Sequence, residues 1–286
     1  TQSRSSAASD VYKRQHVNSK QVSFIIYKTN RSWMRDSGPI IVKNGTSRKA
    51  INFNFNGWAK YTNYKLDKHI PAKVADFLNI PLEQASYNGK PFVLEGGAID
   101  VNGKGTLITS EECLLHPDIQ VRNAGFTKAD YEAVFKTYLG VTNVIWLGDG
   151  IEGDDTHGHI DDLARFVNDD TIITVVESDS KDKNYKPLQD NLKRLQAATL
   201  ENGKQPKIVT LPMPKRLDFD GIRIPASYAN FLILNKSVLV PTFNDANDRV
   251  ALNILADCFP DREIIGIGAT DFIWGFGTLH CLSQQI

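Results

Sequence analysis

The stretch Phe92-Val-Leu-Glu-Gly-Gly-Ala-Ile-Asp-Val101, followed by Asn102-Gly103 and Thr106-Leu-Ile-Thr109, is typical of a β-hairpin. Its Asn-Gly pair favours the positive backbone angles that a tight hairpin turn requires. A helix is then predicted over residues 127–139, with Thr127 as its N-cap and Asp130 at the third helical position. The hairpin and the helix together form the unit on which the fold prediction rests.

This unit recurs along the chain. Hairpin turns fall at Asn44, Asn102, Asn168 and Asn235, which is a spacing of roughly sixty residues. Further helices are predicted over residues 68–79, 187–200 and 248–259, and a β-rich run over residues 21–27. A fifth hairpin would begin near residues 279–283 and would be incomplete. The sequence therefore predicts an α/β fold of strand–hairpin–helix units in a closed or nearly closed radial array, because closure removes unpaired strand edges.

Composition narrows the class of protein. Of 286 residues, 41% are apolar and 23% are charged, as in a soluble globular domain. The 33 basic and 33 acidic residues argue against a nucleic-acid partner, and no apolar run is long enough to predict a membrane span. Residues 1–20 lack periodicity and are predicted to be a disordered or non-native leader before a single catalytic domain over residues 21–286. The three cysteines, Cys113, Cys258 and Cys281, fit no disulfide framework and favour a cytoplasmic setting.

Polar residues stand at the entry to the first strand of every unit. In a radial array these equivalent positions would converge on the axis, so residues far apart in sequence would share one pocket. In chain order they are Asp36, Glu95, His159 with Asp161, Tyr228 with Asn230, and His280 with Cys281.

Residues 152–162 hold two histidines and five carboxylates directly before an apolar strand. Such charge needs a cation opposite it, which could be a metal, a protonated histidine, an arginine or the substrate. His157, His159 and Asp161 have the residue types of a zinc or manganese site, although no second histidine cluster completes one. Asp154 and Asp155 could also belong to a solvated acidic loop.

Cys281 has two interpretations. Free cysteines are usually buried core residues. A cysteine with a remote histidine, here His159, is also the nucleophile pattern of an intracellular enzyme. Gly275 and Gly277 shortly before it suit a backbone that passes close to a ligand.

Six motifs in order resemble the agmatine deiminase family of the guanidino-group-modifying superfamily, which is related to the bacterial-type peptidylarginine deiminases. The resemblance runs from about residue 22 to the end of the chain. The motifs are Trp33-Met-Arg-Asp-Ser-Gly-Pro39, Leu94-Glu-Gly-Gly97, Gly105-Thr-Leu-Ile-Thr-Ser-Glu-Glu-Cys-Leu-Leu115, Gly158-His-Ile-Asp161, Ser227-Tyr-Ala-Asn230 and Leu279-His-Cys281.

The resemblance implies a five-bladed αβ propeller of the pentein type. Family members carry a further N-terminal stretch that completes the fifth blade, so this chain is expected to be N-terminally truncated, with an incomplete fifth blade and an unpaired edge near Ser283. The implied partner is a small cationic guanidine, with no metal or other cofactor. A homodimer is compatible with the family pattern.

The resemblance also implies the chemistry. Cys281 would attack the guanidinium carbon, and His159 would serve as acid and then as base around a covalent thiouronium intermediate. Asp36 and Asp161 would hold the guanidinium nitrogens, and Glu95 would orient His159 and contact the substrate. The planar donors of a guanidinium match carboxylates, which offsets its desolvation.

The implied substrate is agmatine, hydrolysed to N-carbamoylputrescine and ammonia in polyamine (putrescine) biosynthesis. Trp33, Asp154, Asp155 and Gly277 are expected to contact it, whereas His157 and Asp162 are expected to be structural. The chain could also be a deiminase of free or peptidyl arginine, an inactive guanidine-binding remnant, or a metal hydrolase centred on His157, His159 and Asp161. Phe276 and Thr278 depart from the family's Gly-Gly-Gly-Asn-Ile-His-Cys pattern and are expected to reshape the entrance.

Overall fold

Four three-stranded sheets repeat one connection pattern in the computed structural model, which describes residues 21–286. In each sheet two antiparallel strands form a hairpin, and a third strand pairs in parallel with the second after a helical crossover. The repeated unit predicted from the sequence is therefore present four times in this part of the chain. Closure of the units into a five-bladed ring stays a prediction.

The first two sheets occupy the N-terminal half. The first is formed by β1 (Ile40–Asn44), β2 (Ser47–Asn52) and β3 (Leu82–Gln84), with α1 (Met34–Ser37) before it and α2 (Ile70–Leu78) in its crossover. A small hairpin of β4 (Ser86–Tyr87) and β5 (Lys90–Pro91) follows. The second sheet is formed by β6 (Asp100–Val101), β7 (Thr106–Ser110) and β8 (Asn143–Leu147), with α3 (Glu111–Leu115) and α4 (Lys128–Leu139) in its crossover.

The other two sheets follow in the same order. The third is formed by β9 (Ala164–Phe166), β10 (Thr171–Val176) and β11 (Lys207–Pro212), with α5 (Tyr185–Ala197) in its crossover. A hairpin of β12 (Leu217–Phe219) and β13 (Ile222–Ile224) leads into the fourth, which is formed by β14 (Leu232–Ile233), β15 (Ser237–Thr242) and β16 (Glu263–Gly268) around α6 (Ala246–Cys258).

Local sequence accounts for several element boundaries. Thr127 and Asp130 form the predicted capping box at the start of α4, each side chain accepting a backbone N–H of the other. The carbonyl oxygen of the Asn102 side chain accepts the backbone N–H groups of residues 104, 105 and 106, which fixes the hairpin turn between β6 and β7. Helices pack on the sheets through apolar faces, such as Tyr131, Val134 and Phe135 of α4.

Two expectations differ from the structure. No strand forms over residues 21–27, where Ile26 is almost fully exposed; β-rich composition makes a strand only where a partner strand lies alongside. The strands that enter the site are also shorter than predicted. A short 3-10 turn at Gly96–Ala98 interrupts the strand predicted over residues 92–101, and a second one at Ile160–Asp162 lies directly before β9.

Two predicted parts lie at the ends of the chain, namely the leader at the N-terminus and the fifth hairpin at the C-terminus. The predicted leader over residues 1–20 lies outside the described residues. Within residues 276–286 the structure contains no strand. None of the helices in the described part of the chain combines the length and apolar character needed to cross a membrane.

Candidate active site

The polar residues at the entries of the repeated units converge, except for Tyr228, whose hydroxyl donates to Asp248 of α6. Asp161 and Cys281 lie 120 positions apart in sequence, yet the Cys281 Sγ and an Asp161 carboxylate oxygen are 3.5 Å apart. His159 Nδ1 lies 3.8 Å from Asp36 and 3.9 Å from Asp161. The predicted common pocket is thus formed, and its members lie in turns and short helices rather than on the strands.

The thiol of Cys281 is buried among polar groups. The Asn230 side-chain amide donates to its Sγ at 3.1 Å, and Thr278 Oγ1 in turn donates to the Asn230 side-chain oxygen at 2.7 Å. Burial, and then the nearby carboxylates of Asp161, Asp162 and Asp36, raise the pKa of this thiol well above its ordinary value. Cys281 is therefore a protonated thiol in the free protein, and a cation beside it would favour the thiolate.

His159 is a buried, neutral imidazole. Burial, and then the Arg122 guanidinium, lower its pKa well below the ordinary value. Its Nε2 lies 4.0 Å from Glu95 Oε2, and this nitrogen has no hydrogen-bond partner among the described residues. Glu95 is therefore adjacent to His159, as expected, but too far away to hydrogen-bond to it.

Two carboxylates flank the imidazole. Asp36 accepts from the Trp58 indole N–H at 2.9 Å and from the Gly97 backbone N–H at 3.2 Å. Burial, followed by the charges of Asp161 and Glu95, raises the pKa of Asp36 well above its ordinary value. Burial raises the pKa of Asp161 to about 6. One Asp161 oxygen lies 2.7 Å from His280 Nδ1, and the other has no partner in the described structure.

Three buried polar atoms are therefore left unsatisfied around the thiol, within the region that the structure describes. They are Glu95 Oε2, His159 Nε2 and Asp161 Oδ1. Buried polar atoms are seldom left without a partner, and such groups in a native structure mark a place for a ligand or water. Two of the three are acceptors, so a planar cation with several N–H donors suits this inner site.

Arg122 is a site residue that the sequence did not predict. Its Nε donates to Glu95 Oε1 at 3.2 Å, and both side chains are fully buried. It also donates to the carbonyl oxygens of Gln120 and Thr156. An arginine was one of the cations expected opposite the acidic stretch, but no spacing in the sequence distinguished Arg122 from the other arginines.

The glycines around the site allow close approach. A Cβ atom at Gly97 would lie 2.5 Å from His159 Nδ1, and one at Gly277 would lie 2.8 Å from the Trp33 ring and 3.0 Å from the Cys281 Cβ. Phe276 adopts φ +64°, in the left-handed region that favours glycine. This strained residue stands where the family pattern has glycine.

An outer cavity of about 330 Å³ opens beside the thiol. Trp33, Asp36, Asp155, Phe276 and Cys281 are among its lining residues. Asp155 therefore reaches the cavity, as expected of a residue that contacts the rest of the substrate.

The predicted substrate contact Asp154 has a different role in the structure and is not among the residues that line this cavity. One of its carboxylate oxygens accepts from Thr156, and the other accepts the backbone N–H groups of Gly158 and His159. Asp154 thus shapes the loop that carries His159.

The two residues expected to be structural differ from each other. His157 Nδ1 lies 3.2 Å from the Glu112 carbonyl oxygen and its Nε2 lies 3.4 Å from the Glu112 carboxylate, which fits a structural role. Asp162 instead lies close to the nucleophile, because its carboxylate accepts from the same Asn230 amide that contacts the thiol.

The sequence suggested His157, His159 and Asp161 as metal ligands. A different set of residues has ligand atoms close enough together to share an ion. The ligand atoms of Glu95, Cys113 and His159, all buried, lie within 4.8 Å of one another. Arg122 disfavours a cation there because its guanidinium lies on Glu95, and burial raises the pKa of the Cys113 thiol far above its ordinary value. The geometry therefore favours a cationic substrate over a bound metal.

Comparisons with known proteins identify the family of the chain. A family model described as Porphyromonas-type peptidyl-arginine deiminase matches residues 3–286. A Lactococcus lactis protein described as a "putative agmatine deiminase" is 37% identical over 279 residues, which cover 90% of this chain and 74% of the relative.

Two solved structures are similar as well. A cysteine-to-serine variant of the C. jejuni agmatine deiminase with substrate bound is 35% identical, with a TM-score of 0.84 over 93% of this chain and 76% of that one. The agmatine deiminase of Enterococcus faecalis is 34% identical, with a TM-score of 0.82 over 88% and 74% of the two chains.

The mixed α/β fold and the similarities together define an enzyme of the deiminase class, which hydrolyses C–N bonds. The chain belongs to the Porphyromonas-type peptidyl-arginine deiminase family. The resemblance inferred from the six sequence motifs is thereby confirmed.

Proposed function

We propose that this enzyme hydrolyses agmatine to N-carbamoylputrescine and ammonia through a covalent adduct on Cys281. The observation that carries the proposal is the set of unsatisfied buried atoms on Glu95, His159 and Asp161 beside the thiol. A guanidinium would pair with the two carboxylates and bring the positive charge that the acidic site lacks. The relatives named as agmatine deiminases support agmatine as the substrate.

The proposed first half-reaction uses the neutral imidazole. His159 takes the thiol proton, and the Cys281 thiolate forms a bond to the guanidinium carbon. The imidazolium then gives that proton to the departing nitrogen, so that the C–N bond breaks and ammonia leaves. Because the guanidinium lies beside the sulfur, its charge lowers the thiol pKa that burial has raised.

In the proposed second half-reaction the neutral His159 accepts a proton from water, which attacks the thiouronium carbon. Collapse of this adduct breaks the C–S bond and gives the ureido product, and the sulfur is reprotonated. Asp36 and Asp161 hold the substrate nitrogens in both halves. The Glu95–Arg122 ion pair keeps a carboxylate beside the imidazole.

Several broader features are part of the same proposal. The four observed units and the segment that carries Cys281 support a five-bladed radial arrangement of the family type. The three free cysteines suit a cytoplasmic setting, and the proposed product belongs to polyamine biosynthesis. A homodimer is compatible with this function.

A second candidate function is the deimination of free or peptidyl arginine. Arg31 lines the outer cavity, and an arginine there would pair with a substrate carboxylate, which agmatine does not have. Asp155 lines the same cavity and would pair with the distal ammonium of agmatine.

The test is a ureido-product assay with agmatine and with arginine, on the parent chain and on Cys281→Ala. We expect product from agmatine, and a loss of at least about a thousandfold in Cys281→Ala because the covalent route is removed. Product from arginine alone would reject agmatine in favour of the second candidate.

Two further outcomes would point to a metal hydrolase or to a protein without activity. Loss of activity with a chelator, together with activity retained in Cys281→Ala, would support a metal hydrolase instead. Guanidine binding without any turnover would support an inactive remnant.

A further inference from the structure

The Lys60 ammonium is paired with the Asp155 carboxylate. In the proposed function, the distal ammonium of agmatine would need this same carboxylate. Lys60 Nζ is 2.6 Å from Asp155 Oδ1, and the Tyr61 hydroxyl lies 3.0 Å and 2.8 Å from the two Asp155 oxygens. The hydrogen bond to Asp155 raises the pKa of Lys60, so the lysine is charged. Asp155 is thus already neutralised on the wall of the cavity that holds Cys281.

The position of Lys60 is set by a strained backbone. Gly57, Trp58 and Ala59 all have positive φ, at +70°, +58° and +52°, and form a left-handed turn that non-glycine residues rarely adopt. The turn is held by the bond from the Trp58 indole to Asp36, and by the backbone N–H groups of Lys60 and Tyr61, which donate to the Gly57 carbonyl oxygen. The same loop therefore contacts the guanidinium subsite through Trp58 and carries Lys60 to the tail subsite.

Arg31 lines this cavity but does not pair with Asp155. The Arg31 guanidinium stacks over the Tyr61 ring at 4.0 Å and lies 5.2 Å from the Trp58 ring, and it donates to the Asn63 side chain. The ion pair of Asp155 is with Lys60. Lys60 is therefore the lysine that a substrate ammonium would have to displace.

We propose that Lys60 is a specificity-determining residue that weakens binding of substrates with a distal ammonium and favours substrates with a carboxylate at the same place. This inference rests on the proposed function. The ammonium of agmatine and the Lys60 ammonium would compete for Asp155, whereas the carboxylate of arginine would pair with Lys60. Since the Lys60 side chain is 41% exposed, solvent screens the pair and the expected effect is about two- to fivefold.

The test compares Lys60→Gln with the parent chain on both substrates. We expect the KM for agmatine to fall about two- to fivefold with a much smaller change in kcat, and the KM for arginine to stay equal or rise. Lys49→Gln is the matched control, because Lys49 is about as exposed as Lys60 and pairs at 2.7 Å with Glu83, which, unlike Asp155, does not line the cavity. An unchanged or higher KM for agmatine in Lys60→Gln would overturn the proposal.

A double-mutant cycle tests the mechanism. In an Asp155→Asn background the Lys60→Gln substitution should no longer lower the KM for agmatine, because the shared carboxylate is gone. An equal effect in both backgrounds would show that Lys60 acts in another way.

Calorimetric binding separates this inference from the proposed function. Agmatine is titrated into Cys281→Ala with and without Lys60→Gln, which needs no turnover. Tighter binding in the double variant supports the role of Lys60 even if the parent chain releases no ammonia, and equal binding rejects it.

Discussion

In the proposed function, Asp161 would couple substrate binding to pH. Burial raises its pKa to about 6, so in the free protein the carboxyl is protonated below that pH and ionised above it. The protonated form stabilises the folded protein: this contribution is fully present below the ordinary value of 3.8 and is lost as the pH rises through about 6. A bound guanidinium would favour the ionised form and would offset this loss at neutral pH.

We therefore expect kcat/KM for the guanidine substrate to fall about tenfold for each pH unit below about 6, because the carboxylate that accepts the guanidinium is being protonated. The measurement is a kcat/KM profile from about pH 5 to 8 in a constant-ionic-strength buffer. A profile that stays flat to the acid end of this range would contradict the role of Asp161. Melting temperatures over the same range control for unfolding.

Residue types and their order were enough to predict most of the site. Cys281, His159, Asp36, Asp161 and Glu95 lie in ordered motifs, and the structure brings them together. Arg122 and Trp58 could not be predicted in the same way, since a buried counter-ion and an indole donor are defined only by the folded neighbours of Glu95 and Asp36. The substrate contact predicted for Asp154 stays a prediction, and the structure shows this residue bonded within its own loop, since an acidic loop residue and a substrate carboxylate look the same in sequence.

At the scale of elements, the 3-10 turn Gly96–Ala98 brings backbone against catalytic side chains. Its Gly97 N–H donates to Asp36, and its missing Cβ leaves room for the His159 ring. This turn interrupts the single strand that the hairpin pattern predicted over residues 92–101. The hairpin pattern indicates where strands and their turn lie, and it does not show where the chain leaves the strand to form a site.

Gly97→Ala is expected to lower kcat about 10- to 100-fold with the fold retained, because a Cβ atom would displace His159 and Asp36 from their observed positions. The matched control is Gly268→Ala at the end of β16, where no atom lies within 4 Å of an added Cβ. Steady-state assays, with circular dichroism of both variants, provide the measurement. Equal activities in the two variants would contradict the argument.

How accurately an element was predicted depends on how local its signal is. The capping box of Thr127 and Asp130 is a local signal, so α4 was correct to within one residue. Residues 21–27 have the composition of a strand, but no strand forms there. Strand formation depends on a partner strand from another part of the sequence, which the local composition does not show.

In the molecule as a whole, the site is held together by contacts between residues that are far apart in sequence. His280 and Asp161 are separated by 119 positions, and Arg35 donates to Gln285 across 250. The Arg35 backbone N–H also donates to the Cys281 carbonyl oxygen, so the first unit holds the segment that carries the nucleophile. Each unit can form its own hairpin and helix, whereas the site needs all of them in place.

We expect refolding from urea to restore helical circular dichroism before it protects Cys281 from iodoacetamide, since long-range closure is slower than local helix formation. Quenched alkylation read by mass spectrometry follows the thiol. Coincident time courses would contradict this expectation. Adding a prolyl isomerase shows whether proline isomerisation, rather than closure, accounts for any lag.

The raised pKa of Cys281 has a consequence for oxidative damage. Peroxides attack thiolates and react poorly with thiols, and the resting protein holds this sulfur protonated, buried and hydrogen-bonded to Asn230. In the proposed mechanism the sulfur would become a strong nucleophile only when a cationic substrate enters beside it, and that substrate would cover it. Such an enzyme would keep its sulfur in the less oxidisable thiol form while idle and shield it with substrate during turnover.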